Sequence, residues 1–400
     1  MFKSLSHEQK RTLNIISIIE FSRMLGIFLV IPVIALFAEK FTTSGYVIGI
    51  AVASYEVSMA LFQIPMGKLS DRIGRKNAII IGLIPFIFGN ILSFYCDNIT
   101  LLIISRFIAG AGAISSPAIA WAQEIVEPRQ KGISMSYVGA AIGISFLLGT
   151  SFSPEISSVL GIRSVFLISV IVGVFSLMIL MFSNHTVQFK ERIASTGKEH
   201  SIRIQIIPLI FVSFLVSISA FIFFYLLQIY SVANYELSGY SYMLFIPVII
   251  GGVVAIYFSE DARRKKKILP KEISYPIMGI GLLLLSSIAF VSISAIELSI
   301  LLIPYFIGYS VYELLMIPFL TGTLRSEDYG VGIGVFYSFQ FIGSAIGAIS
   351  GGILIGNNAT SIMIQISLSI CLISILASFL ISSRYANHPK ASAGSPQYEE

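Results

Sequence analysis

Apolar stretches of twenty or more residues recur along the whole of this 400-residue chain, separated by short polar breaks. That recurrence fixes the solvent in which the chain folds. About 20 helical residues cross roughly 30 Å of hydrocarbon, and lipid offers a backbone N–H or C=O no partner but its own helix. The stretches predict twelve membrane-spanning helices at 12–38, 46–67, 77–96, 99–124, 133–154, 161–183, 205–231, 239–259, 273–294, 298–323, 329–356 and 358–383. A chain that is 56% hydrophobic and only 12% charged is no water-soluble globule. The first stretch is too long for a signal-peptide core and ends at no small-residue cleavage site, so it is expected to persist.

The sequence carries a formal net charge of +5. Nucleic acid is not implied, because the charge follows the spans. All but four of the 26 Lys and Arg fall in one alternate set of loops and termini; Lys40 and Arg163 lie on the other side, and Arg23 and Arg106 lie within spans. This positive-inside bias places both termini in the cytoplasm of a multi-pass cell-membrane protein.

Between the sixth and seventh spans a polar segment carries Lys190, Glu191, Arg192, Lys198, Glu199 and Arg203. It divides the chain into an N-terminal six-helix bundle (1–183), a cytoplasmic linker (184–204), a C-terminal six-helix bundle (205–383) and a polar tail (384–400). The halves echo each other faintly. Arg106-Phe107-Ile108-Ala109-Gly110 aligns with Tyr305-Phe306-Ile307-Gly308, as chance or as the repeat expected of a duplicated transporter. Gly139 and Gly143, and Gly343, Gly347 and Gly351, recur every four residues, which suits close helix packing.

The most polar break is Gly67-Lys68-Leu69-Ser70-Asp71-Arg72-Ile73-Gly74-Arg75-Lys76. Its glycines permit a tight turn, and its basic residues mark the cytoplasmic side. A merely topogenic loop explains the cations but not Asp71. Within spans, each ionisable group costs about 2.5–3.5 kcal/mol or more at the bilayer centre, so Glu20, Arg23, Glu56, Arg106 and Glu313 stand out. Glu20 is either a proton carrier or a structural partner of Arg23 one turn away. Glu56 lies on a stripe of small and polar residues that faces protein or cavity, again as carrier or structural group. Glu313 shares a face with Tyr305, Tyr309 and Tyr312. That face either packs or holds an organic cation by charge and cation–π contact, and Tyr225 and Gln228 are possible neighbours.

These residues resemble the major facilitator superfamily. The decapeptide is similar to its motif A, Arg106 with Gly110 to its motif B, and Arg23-Met24-Leu25-Gly26, Ile31-Pro32-Val33 and Phe62-Gln63-Ile64-Pro65 to the drug:proton antiporters, closest to the YajR-type efflux transporters. The likeness is strong over about residues 14–180 and weak beyond. The span-five proline motif is degenerate, reading Gly149-Thr150-Ser151-Phe152-Ser153-Pro154, and the counterpart of motif A after span eight has lost its glycines.

The resemblance implies an all-α membrane protein of the major facilitator fold, twelve helices in two pseudo-symmetric bundles. It implies a cytoplasmic gate of Gly67, Asp71, Arg72, Gly74 and Arg75, with Asp71 on the start of span eleven near 329–332 and Arg75 on Glu124. It implies an embedded acid at Glu20, like that of the MdfA-type antiporters, and proton coupling at Arg106. The function implied is proton-coupled efflux of lipophilic or cationic compounds by a monomer in the bilayer, without cofactor. A proton symporter of a small polar nutrient is the alternative, and a non-transporting sensor on the same fold a remote one. Enzymatic chemistry has no support. All four histidines (His7, His185, His200, His388) lie outside the spans, Cys96 and Cys371 make neither a disulfide nor a metal site, and no phosphate-binding glycine loop occurs.

Overall fold

The computed structural model describes residues 5–127, 130–183, 206–265, 294–323 and 329–356, with residue 369. Among the described residues every regular element is an α-helix: α1 (His7–Val30), α2 (Ile34–Glu39), α3 (Gly45–Ile73), α4 (Arg75–Tyr95), α5 (Ile99–Gly110), α6 (Ser115–Glu124), α7 (Lys131–Leu160), α8 (Ser164–Phe182), α9 (Ile207–Lys265), α10 (Ala295–Thr323) and α11 (Tyr329–Gly356). Nine spans among these residues are long and apolar enough to cross a membrane, and Met243–Val254 is a shorter apolar helix. These coincide with ten of the expected spans. The remaining two, 273–294 and 358–383, lie outside the described residues apart from single positions, as do the linker at 184–204 and the tail at 384–400.

Local chemistry explains the boundaries. Ser6 and Gln9 form a capping box that starts α1, each side chain bonding the other's backbone N–H (3.1 and 2.9 Å). The expected span 12–38 is two helices, because Pro32 brings no N–H to the ladder and residues 31–33 turn. The expected span 99–124 is likewise broken at 111–114, between α5 and α6. Pro117 has no N–H to return to Ala113, and Ile114 instead closes a tight turn on Gly112 (2.9 Å). Gly74 alone joins α3 to α4, with φ 94° and its N–H on Ser70 (3.1 Å). That left-handed φ favours glycine.

Helix α9 contains both the seventh and eighth expected spans. Its 59 residues would measure about 88 Å if straight, far more than a bilayer. The element doubles back instead. Ser231 Oγ lies 3.6 Å from Met243 Sδ, where twelve residues of straight helix would separate them by about 18 Å. Phe306 likewise touches both arms, with the Phe224 ring at 6.0 Å and Gly251 against its carbonyl.

Small residues set how closely the helices approach. On one side of α11, Gly343 and Gly347 meet α9 at Phe214 and Ile218, and Gly351 lies against the Tyr225 ring. On another side α11 runs antiparallel to α3, pairing Gly352 with Gly45 and Gly49, Ala348 with Gly49, and Gly334 with Ile64, while the Ser338 hydroxyl donates to the Ala60 carbonyl (3.0 Å). A Cβ on Gly49 would sit 2.9 Å from the Ala348 carbonyl and from Ile349 Cα. Backbone cannot yield as a side chain can. Gly49→Ala is therefore expected to lower stability by roughly 1–2 kcal/mol through overpacking, read as a lower melting temperature in detergent, whereas Gly143→Ala, with nothing within 4 Å of its Cβ, leaves it unchanged.

Candidate functional site

Three groups of polar residues sit at different depths. At the α3–α4 turn Arg75, 5% exposed, reaches Asp71 Oδ1 with Nη2 (2.6 Å) and holds Glu124 bidentately, Nη2 to Oε1 at 2.6 Å and Nε to Oε2 at 3.2 Å. Its Nη1 donates to Ser70 Oγ, which in turn donates to the Gly67 carbonyl (2.7 Å). A planar guanidinium is the one side chain suited to this fork. The turn is thereby tied to the end of α6. Arg72 is exposed, and Lys76 donates to the Ser183 carbonyl at the end of α8 (2.6 Å). Asp71 is exposed enough, at 46%, to turn elsewhere. Side chains 329–331, where α11 begins, lie outside the described residues, but the pairing of Ile64 with Gly334 carries α3 toward that end of α11.

Deeper, Glu20 and Arg23 are both fully buried and 3.9 Å apart. Arg23 donates to Ser115 Oγ at the start of α6 (2.7 Å), and its Nη2 lies 3.2 Å from Met59 Sδ. Among the described residues the Glu20 oxygens have no hydrogen-bond partner. Arg106 donates to Asn90 Oδ1 (3.2 Å) and lies 4.6 Å from the centre of the Tyr55 ring and 5.9 Å from that of Phe166. Glu20, Arg23 and Arg106 all lie behind the wall of the cavity described next, and none lines it.

That cavity, of about 240 Å³, is bounded by α1, α3, α6, α7, α9, α10 and α11. Among the described residues two acids line it, Glu56 from α3 and Glu313 from α10. Glu56 is 5% exposed and, among the described residues, makes no hydrogen bond; Arg106 and Arg23 are its charged neighbours. Glu313 accepts from Gln340 Nε2 (3.3 Å), and the Tyr309 hydroxyl one turn back lies beside the same carboxyl. The Tyr309 ring packs with Phe146 (5.6 Å), Phe224 (5.8 Å) and Tyr305 (6.2 Å, stacked). Tyr312 also lines the space, but its hydroxyl shares a hydrogen bond with Ser213 (2.6 Å). Carboxylates and aromatic faces in an apolar chamber are the chemistry that holds an organic cation.

Several expected positions are placed elsewhere. Tyr305 is fully buried behind Tyr309. Tyr225 packs on Gly351, and Gln228 donates to the Ile31 carbonyl (2.8 Å), so neither lines the cavity. Among the described residues Gly143 packs against no helix but lies open at the cavity wall. Sequence reasoning missed Gln340, Tyr55, Tyr337 and Phe146, all cavity residues. Gln340 had a signal, being the one amide in the apolar run of α11. The aromatic positions had none, because nothing in one sequence separates a ring facing a cavity from a ring in a core.

The chain belongs to the Major Facilitator Superfamily, whose sequence profile matches residues 16–348. Among its relatives is the inner membrane transport protein YajR of Escherichia coli (strain K12), 36% identical over 145 residues that cover 36% of this chain and 32% of that one. Multidrug resistance protein 2 of Bacillus subtilis (strain 168) is 30% identical over 226 residues, 54% of this chain and 56% of that one. A solved structure of the xylose transporter XylE from E. coli, in a partially occluded inward open conformation, shares the fold with a TM-score of 0.74 at 14% identity, over 92% of this chain and 97% of that one. The protein is thus a multi-pass membrane transporter of small molecules, not an enzyme, and its family needs no cofactor.

Proposed function

We propose that this transporter exports small amphipathic cations in exchange for protons. The observation that carries the reading is that Glu56 and Glu313, one from each half of the chain, share one aromatic-lined cavity. A carboxylate there holds either a proton or a cationic substrate. Competition between the two is antiport, provided access alternates between the two sides of the membrane. Glu56 and Glu313 are better placed for this exchange than Glu20, whose carboxyl is held beside Arg23 outside the cavity. The Glu20–Arg23 pair and Arg106, which lies near Glu56, then tie protonation to helix position. The relative named for multidrug resistance supports export.

In this reading two six-helix bundles (1–183 and 205–383), joined by the linker 184–204, rock about the cavity in the cell membrane of a monomer with both termini cytoplasmic. The Asp71–Arg75–Glu124 cluster latches the cytoplasmic side, with Gly67 and Gly74 shaping its turn and Arg72 beside it. A proton gradient supplies the energy, about 2.3 kcal/mol per charge per 100 mV. The test is direction of movement in proteoliposomes with an imposed pH gradient. Substrate leaving the compartment as protons enter supports antiport, and substrate moving with the protons assigns symport instead.

A further inference from the structure

Behind the cavity wall lies a second polar layer. Glu20 and Gln63 are fully buried, and among the described residues neither the Glu20 oxygens nor the two ends of the Gln63 amide have a hydrogen-bond partner. The Ser17 hydroxyl, one turn before Glu20 on α1, is buried and unpartnered in the same way. Helix register brings these groups to one depth. Arg23 of α1 reaches Met59 of α3 (3.2 Å), and the chain reverses between α2 and α3. Glu20, one turn before Arg23, is therefore level with Gln63, one turn after Met59. The Ser338 hydroxyl of α11 meets the Ala60 carbonyl of α3 (3.0 Å), which puts Tyr337 in the same layer.

Tyr337 stands in the wall between that layer and the cavity. It lines the cavity one turn before Gln340, whose amide holds Glu313 (3.3 Å), and its ring stacks on Phe341 (5.9 Å). The charged and titratable groups that face it are Glu313 and Tyr312 of α10 and, from the other side, Glu20 and Arg23 of α1. Arg23 is faced in turn by Tyr55 and Glu56 of α3. A substrate in the cavity cannot pass a packed phenol ring to reach Glu20. A proton can, because a hydroxyl gives one proton and accepts another, directly or through one water. Arg23 cannot do this, since a guanidinium does not deprotonate, and its Nη1 and Nη2 are turned to Ser115 and Met59. Left 3.9 Å from Arg23 and without a hydrogen bond, a Glu20 carboxylate loses hydration with little return, and a proton removes that cost.

We propose that Tyr337 is the proton-transfer residue between Glu313 and Glu20, so that a proton displaced by an arriving cation leaves the cavity on a path the cation cannot follow. This rests on the reading above that cation and proton compete for the cavity carboxyls, and it adds where the displaced proton goes. The Glu313 carboxyl gives its proton to the Tyr337 oxygen as the Tyr337 hydroxyl passes its own to a Glu20 carboxylate oxygen, so the phenol ends neutral. The Gln63 amide and the Ser17 hydroxyl supply the donors and acceptors that hold a bridging water in this layer. Tyr337 and Glu20 lie one turn nearer the motif A end than the Gln340–Glu313 contact, so the transfer carries the proton toward the cytoplasm.

Two measurements test it. The first needs no substrate. In acidic D2O buffer, the carboxylic-acid infrared band that is lost in Glu20→Gln reports the Glu20 proton, and its shift on deuteration gives the rate at which protons reach it. Tyr337→Phe, which keeps the ring on Phe341 and removes the hydroxyl, is expected to slow that exchange by about tenfold or more. An unchanged rate, or no such band, overturns the relay whatever the protein carries. In the second, proton release on binding tetraphenylphosphonium is followed by stopped flow with a pH-sensitive dye. Tyr337→Phe is expected to slow release by about tenfold or more while weakening binding by less than about threefold. Glu20→Gln slows release similarly, and the double variant is no slower than either single one, because both cut one path. Binding lost in step with release would make Tyr337 a substrate contact, and effects that multiply in the double variant would put the two residues on separate paths; each overturns the proposal. If the parent releases no proton, the antiport reading falls, and the exchange rate still decides whether Tyr337 connects the cavity with Glu20.

Discussion

Glu313→Gln protein is expected to bind tetraphenylphosphonium at least about tenfold more weakly than the parent at neutral pH, since truncating one partner of a buried charge pair costs about 2–5 kcal/mol. The substitution is nearly isosteric and leaves a group that can still pair with the Gln340 amide, so shape is kept and only charge is lost. Tyr309→Phe separates the two contributions. It keeps the ring that packs between Phe146 and Phe224 and removes the hydroxyl beside Glu313, for a loss of about 1 kcal/mol. Acidification of the parent should mimic Glu313→Gln, because a protonated carboxyl offers no charge. Binding therefore weakens as pH falls, and the Gln variant shows less of that dependence. Equal affinity of parent and variant in equilibrium dialysis would remove Glu313 from the substrate site.

Arg75→Ala is expected to cost about 2–4 kcal/mol of stability, somewhat below the 3–5 kcal/mol typical of breaking a fully buried pair. The discount follows from exposure. Asp71 and Glu124 are 46% and 37% exposed and can regain water, whereas Arg75 is buried and takes part in every contact of the cluster. Arg75→Lys should restore little, since an ammonium cannot hold Glu124 through two parallel bonds. If the cluster is also the latch, a cysteine at Leu69 near the turn should react faster with a water-soluble maleimide in Arg75→Ala than in the parent. Unchanged reactivity alongside reduced stability would leave the cluster a structural brace and not a gate.

Much of this was written in the sequence, and the physical reason differs from element to element. Spans were legible because hydrocarbon length sets a minimum apolar run that no loop satisfies. The partnership of Arg75 with Glu124 was expected only through family likeness; geometry places them 2.6 Å apart. The break between α5 and α6 was missed although Pro117 marks it, because the apolar run continues through the break and hydropathy is blind to a missing N–H. The bend between the arms of α9 was expected as a loop, yet the backbone stays helical as it turns. Among the acids, sequence could say that Glu20, Glu56 and Glu313 are costly in lipid, but not which face a cavity. Helix rotation decides that, and rotation is set by small contacts such as Gly110 on the Tyr55 carbonyl and Gly251 on that of Phe306.

The central claim is that the two cavity acids exchange protons for a cation. Proton flux into proteoliposomes, recorded with a trapped pH-sensitive dye on addition of tetraphenylphosphonium, tests it most directly when the parent is set beside Glu56→Gln, Glu313→Gln and Glu20→Gln. Substrate-dependent flux that is present in the parent and lost in Glu56→Gln or Glu313→Gln is the expected result. Flux retained in both, and lost only in Glu20→Gln, would contradict the account and move the proton to the buried pair of α1.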